Sequence, residues 1–334
     1  MTEAERMQVS CRIERWPLAR PFTISRGTRV EATTLTVELQ RGKQVGRGES
    51  VPYARLGETP ESALAQVRQL AAEGLPATRE ELQRRLPAGS ARNAVDCAMW
   101  DLESRTQAVP VWQLAGLPPP GALVTAYTVS LDSPAAMGKQ ARNAADRPFL
   151  KVKLGGDAAR EADRLRAVRD NAPDARLLID ANEGWSSRQL ETMFPALEDC
   201  QAELLEQPLP EAEDEALAGM PSPAPLCADE SCRTVEDLDR LAGRYRFVNV
   251  KLDKAGGLTG ALRLLREARR RKFGVFVGCM MGGSLSIAPA FLLAAAADYV
   301  DLDGPLYLAE DRPGGFRPDG PKLLPTAAGF WGDG

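Results

Sequence analysis

At 334 residues the chain exceeds a single average domain, and its 44% hydrophobic and 26% charged content is that of an ordinary globular protein. The net charge of −4 supplies no electrostatic footprint for nucleic acid or an anionic membrane surface. There is no histidine, which removes Ser-His-Asp and Cys-His nucleophile pairs, His-ligated zinc and histidine bases in one step. Catalysis must run on carboxylates, lysines, tyrosines or cysteines.

The six cysteines (11, 97, 200, 227, 232 and 279) show no C-x-x-C spacing and read as reduced, mostly buried thiols of a cytoplasmic protein. Residues Met1 to Met7 are polar and lack the apolar core of a signal peptide. The apolar stretch Ile287 to Ala297 contains Pro289 and is too short to span a bilayer. These features point away from nucleic-acid and membrane partners and leave a homo-oligomer open.

In chain order, Val9 to Trp16, Thr33 to Leu39 and Val45 to Val51 read as strands, the last two joined by the turn Arg41-Gly42-Lys43-Gln44. Arg20 to Arg29 reads as a loop. Helices follow near Glu61 to Glu73, Arg79 to Leu86 and Ser90 to Thr106, so residues 1–118 form an α+β domain. Leu117-Pro118-Pro119-Pro120-Gly121 is a stiff boundary. From there, apolar strand-like runs end near Thr128, Lys153, Asp180, Glu206, Asp229, Lys251, Gly278 and Asp303, at intervals of 22 to 27 residues with helical patterns between. Leu190, Met193, Phe194 and Leu197 mark one helix stripe; Leu258, Ala261, Leu262 and Leu265 mark another, and Thr234 with Asp237 is a capping box. The basic run Arg269 to Lys272 ends a helix, and Gly282-Gly283 reads as plain turn.

Eight strands at this spacing build either a closed barrel or an open doubly wound sheet. Nearly every run ends in, or just before, a residue able to do chemistry. An open sheet gathers ligands at one switch point, whereas a barrel gathers every strand end around one mouth. The expected fold class is therefore α/β, a barrel over 119–308 capped by 1–118, with the Gly/Pro-rich tail 309–334 returning to the cap.

Asp180, Glu206 and Asp229 stand at consecutive strand ends, a hard-oxygen set that suits Mg²⁺. The alternative for each alone is a helix cap, but three converging carboxylates without a cation would repel. Lys151 and Lys153 share one face of the second strand, and Lys251 ends the sixth, diametrically opposite in an eight-strand ring. Lys151 and the metal disfavour a proton on Lys153 and so prime it as a base. Lys254 lies on the following loop and reads as a surface residue. Opposed lysines astride a metal-held carboxylate can remove an α-proton through an enolate and return one to the other face.

At these residues the chain resembles the enolase superfamily, muconate-lactonizing subgroup. The segments carrying the resemblance are Lys151-Val152-Lys153, Asp180-Ala181-Asn182, Glu206-Gln207-Pro208, Ala228-Asp229-Glu230-Ser231 and Lys251 ahead of Gly256-Gly257, together with Ala94 to Gly116 and the capping loop Arg47 to Tyr53. The resemblance implies a (β/α)₇β modified TIM barrel, Lys153 and Lys251 as acid/base catalysts, Lys151 as their electrostatic helper, and Mg²⁺ on Asp180, Glu206 and Asp229. Within the superfamily the dipeptide epimerases are most similar, because Asp301-Leu302-Asp303 matches their receptor for a free amino terminus. That implies epimerisation at the Glu α-carbon of an L-Ala-D/L-Glu type dipeptide, in murein-peptide salvage. Arg26 matches an arginine used on the substrate's acidic side chain, although a solvated loop arginine remains the alternative. Thr128, Cys279 and Met280 should line the pocket by position. N-succinylamino acid racemisation or o-succinylbenzoate synthesis would use the same catalysts but give Asp301 and Asp303 no cation to bind. A catalytically silent metal-binding homologue is the remaining alternative.

Overall fold

The computed structural model describes residues 7–156 and 158–334, so the N-terminal segment read above lies almost wholly outside the described residues. Strands β1 (Gln8–Ile24), β2 (Gly27–Arg41) and β3 (Gln44–Ser50) form an antiparallel sheet in chain order. The first two are longer than the sequence implied. Arg20 to Arg29 is not a free loop: Phe22 pairs with Arg29 and Ile24 with Gly27, closing a hairpin tip, with the register broken between Pro17 and Phe22. Pro17 and Pro21 cannot donate to a ladder and argued against a strand there, but an edge strand with a bulge tolerates them.

Three helices pack on this sheet: α1 (Pro60–Ala72), α2 (Arg79–Arg85) and α3 (Ser90–Gln107). Thr59 and Thr78 cap the first two by accepting the amides of Ser62 and Glu81. Alternation along β2 buries Leu35, Val37 and Leu39 against Ala94, Val95 and Ala98 of α3. The approach is close because β3 carries Gly46 and Gly48. A Cβ at Gly48 would lie 2.1 Å from the Ala94 carbonyl oxygen, and one at Gly46 would lie 2.3 Å from that of Ala98.

After the short α4 (Val111–Leu114) and β4 (Leu123–Val124), eight parallel strands follow. These are β5 (Tyr127–Val129), β6 (Phe149–Lys153), β7 (Arg176–Asp180), β8 (Ala202–Glu206), β9 (Leu226–Ala228), β10 (Phe247–Val250), β11 (Gly274–Gly278) and β12 (Tyr299–Asp301). Each bonds to the next in sequence order. Between the ends of the series, the Ala126 amide donates to the Val300 carbonyl at 2.8 Å and the Leu302 amide to Thr125 Oγ1 at 2.8 Å. The sheet is thus a nearly closed barrel. Ala126, Leu178, Leu204, Cys227 and Phe276 fill its interior.

Outside lie α5 (Pro134–Asn143), α6 (Glu161–Asn171), α7 (Ser187–Asp199), α8 (Leu238–Leu241), α9 (Leu252–Ala255), α10 (Leu258–Arg270) and α11 (Ser284–Phe291). Between β8 and β9 a 3₁₀ segment, Glu211–Leu217, replaces a helix. The Thr234–Asp237 capping box is present and opens a 3₁₀ turn leading into α8. Strand β12 stops at Asp301, and Asp303 (φ −85, ψ 0) already belongs to the turn that Gly304-Pro305 begins.

The tail forms no further α-helix among the described residues. Its β13 (Arg317–Asp319) and β14 (Lys322–Leu324) make a small sheet with β4. Beyond, Trp331 Nε1 donates to the Arg47 carbonyl at 2.8 Å and the Gly332 amide to Asp101 at 2.8 Å, so the chain end lies against β3 and α3. No helix among the described residues is long and apolar enough to cross a membrane.

Because β3 and α3 meet through backbone, added bulk must push them apart. Gly48→Ala should lower stability by about 2–3 kcal/mol in urea titration, the cost typical of an overpacked core.

Candidate active site

Parallel strands point their carbonyl ends at one mouth, and seven of the expected residues arrive there directly on or just after their strands. Lys151 and Lys153 occupy alternate positions of β6, Asp180 and Glu206 end β7 and β8, Asp229 and Lys251 follow β9 and β10, and Asp301 ends β12. A cavity at this mouth is lined by Arg26, Thr128, Lys151, Lys153, Asp229, Lys251, Cys279, Met280, Asp301 and Asp303. Asp180 and Glu206 are 0% and 1% exposed and lie beneath the lysines.

The ammonium of Lys153 donates to Asp180 Oδ2 at 2.6 Å, and that of Lys251 to Asp229 Oδ2 at 2.7 Å. The two amines thus arrive from strands four places apart in the ring and each meets a carboxylate of the central set. Lys151 lies 2.8 Å from Glu206, 2.9 Å from Asp301 and 3.2 Å from Asp180. Its burial opposes a charge, but Asp301, Glu206 and Asp180 outweigh burial and hold it protonated well above the usual lysine range. Burial likewise works against the charge on Asp180, yet Lys153 and Lys151 bring it well below the usual carboxylate range. Asp229 follows the same logic through Lys251 and Lys254. Glu206 differs: burial and the adjacent Asp180 push it up to about 7 despite Lys151. Lys251 is also raised, since Asp229 overcomes its burial.

One oxygen from each of Asp180, Glu206 and Asp229 lies within 4.8 Å of the others, all three being buried. Glu206 Oε2 meets the Lys151 ammonium at 2.8 Å, and Asn249 Oδ1 is buried without a hydrogen-bond donor. An all-oxygen donor set with unsatisfied lone pairs fits a hard divalent cation.

Several residues with a part in this geometry were not singled out in the sequence. Lys254, taken as a surface lysine, is 1% exposed; it donates to Asp229 Oδ1 at 2.6 Å, to the Asp229 carbonyl and to the Asn249 carbonyl at 3.1 Å. The one-turn helix α9 after β10 turns it back beneath the mouth, and the spacing of three from Lys251 was the available signal. Asn249 donates to Glu206 Oε1 at 2.6 Å, and Gln207 Oε1 accepts the amides of Asp229 and Ser231. Glu230 and Tyr53 hold Arg26: its guanidinium donates to Glu230 Oε1 at 2.8 Å, Tyr53 Oη at 2.9 Å and the Asn182 carbonyl at 2.8 Å. Arg26 therefore reaches the cavity wall, but from a hairpin tip and already bonded to protein.

Asp301 and Asp303 both face the cavity, although not as a free pair. Asp301 is engaged by Lys151, and Asp303 Oδ2 accepts the Thr128 amide at 2.8 Å. Burial and the neighbouring Asp301 charge push Asp303 up to about 8. The Gly282-Gly283 turn holds no phosphate receptor, because the Asp311 carboxylate takes the Ser284 amide and hydroxyl that follow it.

A nearly closed parallel barrel with an antiparallel sheet beside its mouth, and buried lysines paired to carboxylates at the strand ends, defines a capped-barrel enzyme. Residues 6–116 match the family description "Mandelate racemase / muconate lactonizing enzyme, N-terminal domain", and residues 136–314 match "Enolase C-terminal domain-like"; the chain belongs to the enolase superfamily. It is 45% identical over 303 residues to the L-Ala-D/L-Glu epimerase of Escherichia coli K12, covering 89% of this chain and 93% of that one. It is 43% identical over 290 residues to an N-acetyl-D-glutamate racemase of Pseudoalteromonas, covering 86% and 91%. A crystal structure of an Agrobacterium tumefaciens enolase family member with homology to dipeptide epimerases, with bound sodium and L-Ala-L-Glu, superposes with TM-score 0.93 at 45% identity, covering 98% and 100%. Such relatives make this enzyme an isomerase of the epimerase and racemase kind.

The Lys254 pair yields a structural test. Lys254→Met strips a buried carboxylate and two carbonyls of their donor, and stability measured in urea with chelator present should fall by about 3 kcal/mol.

Proposed function

We propose that this enzyme epimerises the Glu α-carbon of an L-Ala-D/L-Glu type dipeptide, with Lys153 and Lys251 as the two acid/base groups and Mg²⁺ as its metal. The carrying observation is the placement of these amines on opposite strands of one mouth, each against the carboxylate set. Asp180, Glu206 and Asp229 would hold the ion. When bound, Mg²⁺ supplies positive charge toward the substrate carboxylate, offsetting the charge that grows there as the α-proton leaves.

The residues of the chain divide the remaining work. One lysine, freed from its carboxylate and neutral, takes the α-proton while the bonding pair spreads onto the adjacent carboxylate. The opposite ammonium gives its proton to the other face of the same carbon, which inverts the centre. Lys151, held cationic among three acids, keeps positive charge beside Lys153 and the substrate. Asp301 and Asp303 receive the dipeptide ammonium, Arg26 sets a positive wall toward the acidic side chain, and Thr128, Cys279 and Met280 shape the pocket. Residues 1–118 with 309–334 serve as the cap over a 119–308 barrel. Unpaired cysteines suit a cytoplasmic enzyme, and the substrate suits murein-peptide salvage.

With Mg²⁺ in D₂O, L-Ala-L-Glu should take up deuterium at the Glu α-carbon, read by NMR. Lys153→Ala and Lys251→Ala should each lower epimerisation by about 10²–10⁴, the usual contribution of a general acid or base. No α-exchange with any dipeptide would sink the reading.

A second reading, racemisation of an N-acylated glutamate, draws on the state of the aspartate pair. Asp301 is spent on Lys151, and burial pushes Asp303 up to about 8, so the pair carries little free negative charge at neutral pH. Asp303→Asn separates the two: a dipeptide enzyme loses affinity, whereas an N-acyl enzyme keeps it. For the dipeptide, the sign of the pH effect follows directly. A bound ammonium favours the Asp303 carboxylate, so binding releases a proton below pH 8, and affinity should climb about tenfold per pH unit toward that value. Calorimetry in two buffers of different ionisation enthalpy reads the released proton; proton uptake would contradict an ammonium at Asp303.

A further inference from the structure

We propose that Asp253 is a positioning residue for the Lys251 amine, acting through the one-turn helix α9 and its anchorage on the cap; the assignment rests on the two-lysine reading of the preceding section. Lys251 is the N-cap residue of α9, in extended conformation (φ −122, ψ 131) and without a side-chain cap bond among the described residues. Four residues are too few to hold a helix by their own backbone bonds, because nucleation costs more than one turn returns. The turn is therefore placed by what grips it. Lys254 grips from within, through Asp229 and the Asn249 carbonyl. Asp253 grips from the other side: its Oδ1 accepts the Val51 amide at 2.8 Å and Asn93 Nδ2 at 2.9 Å.

The bracket that holds Asp253 is itself rigid. Val51 follows β3 and Asn93 lies in the first turn of α3, the two elements that meet through backbone at Gly46 and Gly48. Asn93 is buried, and its Oδ1 accepts the Cys97 thiol at 3.2 Å, which leaves its Nδ2 for Asp253. Two donors from different elements thus converge on one carboxylate oxygen, two residues past Lys251. Asp253 does not line the cavity, so whatever it does for the chemistry passes through the turn that carries it. Among the described residues, the Lys251 ammonium meets Asp229 alone, so where that amine stands follows the backbone beneath it. A displacement of α9 by a fraction of an ångström moves Lys251 against the α-carbon, and misplacement on this scale is enough to slow proton transfer.

Each lysine serves one face of the α-carbon, so harm confined to Lys251 shows in one epimer, whereas a general loss of structure shows in both. L-Ala-L-Glu and L-Ala-D-Glu are each incubated in D₂O with Mg²⁺-loaded enzyme, and early α-deuterium uptake is read by NMR. Lys251→Ala identifies the epimer whose proton Lys251 takes. Asp253→Ala should slow uptake from that same epimer by about tenfold or more and leave the other epimer, and Mg²⁺ affinity by calorimetry, within about twofold. Asp253→Asn, which keeps an acceptor oxygen, should recover most of the loss. Asn93→Ala removes one of the two donors and should give the same selectivity at about threefold, and it decides the matter where Asp253→Ala does not fold. Equal slowing of both epimers, slowing of the wrong one, no slowing, or weakened Mg²⁺ binding overturns the assignment while Lys251→Ala stays selective. A Lys251→Ala enzyme that treats the two epimers alike overturns the two-lysine reading, and the assignment falls with it.

Discussion

Burial of opposite charges in near balance governs the mouth of this barrel. Lys151, Lys153, Lys251 and Lys254 stand against Asp180, Glu206, Asp229 and Asp301, and every one of these side chains is buried. An isolated charge in such a place would cost far more than folding can spare, so each must find its counter-ion within hydrogen-bond reach. The strands satisfy this by geometry: β6 to β10 and β12 deliver acids and amines to one level, and the one-turn α9 adds Lys254. The fifth acid, Asp303, has no lysine of its own, and it is the one that burial drives up to about 8.

That balance also fixes how each carboxylate is held. Lys153 takes one oxygen of Asp180 and Lys251 one oxygen of Asp229. Asp229 is the clearest case, since Lys254 holds one oxygen at 2.6 Å and Lys251 the other at 2.7 Å. Asp229 is thus held from two sides, and Lys254 fixes its orientation independently of Lys251. Lys254 spreads its donors over one carboxylate and two carbonyls, whereas Lys251 has a single carboxylate partner.

Much of this arrangement was legible in the sequence because its signals are periodic. The strand-end acids recur at βα spacing, and Lys151 and Lys153 share a face by the period of two. What was not legible depends on folding back across distance. Lys254 looked solvated because its spacing of three from Lys251 gains meaning only once α9 bends it beneath Asp229. Arg20 to Arg29 looked like a loop because Pro21 and the polar residues that follow mask a hairpin tip in which Phe22 pairs with Arg29 and Ile24 with Gly27. Asp301 and Asp303 looked like one carboxylate pair on one strand, but the chain turns between them at Leu302, and Lys151, placed 150 residues earlier, claims the first. Arg26 was legible as a residue and not as a bonded state, because Glu230 lies 204 positions away.

The turn after β10 shows how the two halves of the molecule act on one another. Lys251 and Lys254 face inward to Asp229, whereas Asp253 between them faces outward. Its Oδ1 accepts the Val51 amide at 2.8 Å and Asn93 Nδ2 at 2.9 Å, and two carbonyls just beyond, Ala255 and Gly256, accept from Arg92. Val51 leads into Tyr53, which holds Arg26 on the cavity wall. A single helical turn therefore joins the Lys251 amine to the segment that shapes the far side of the pocket. Burial pushes Asp253 up to about 7, the cost of placing that junction where no cation can reach it. A surface loop could have carried the lysines alone; the buried turn also binds Val51 and Asn93, so the Lys251 amine and the pocket wall keep one geometry.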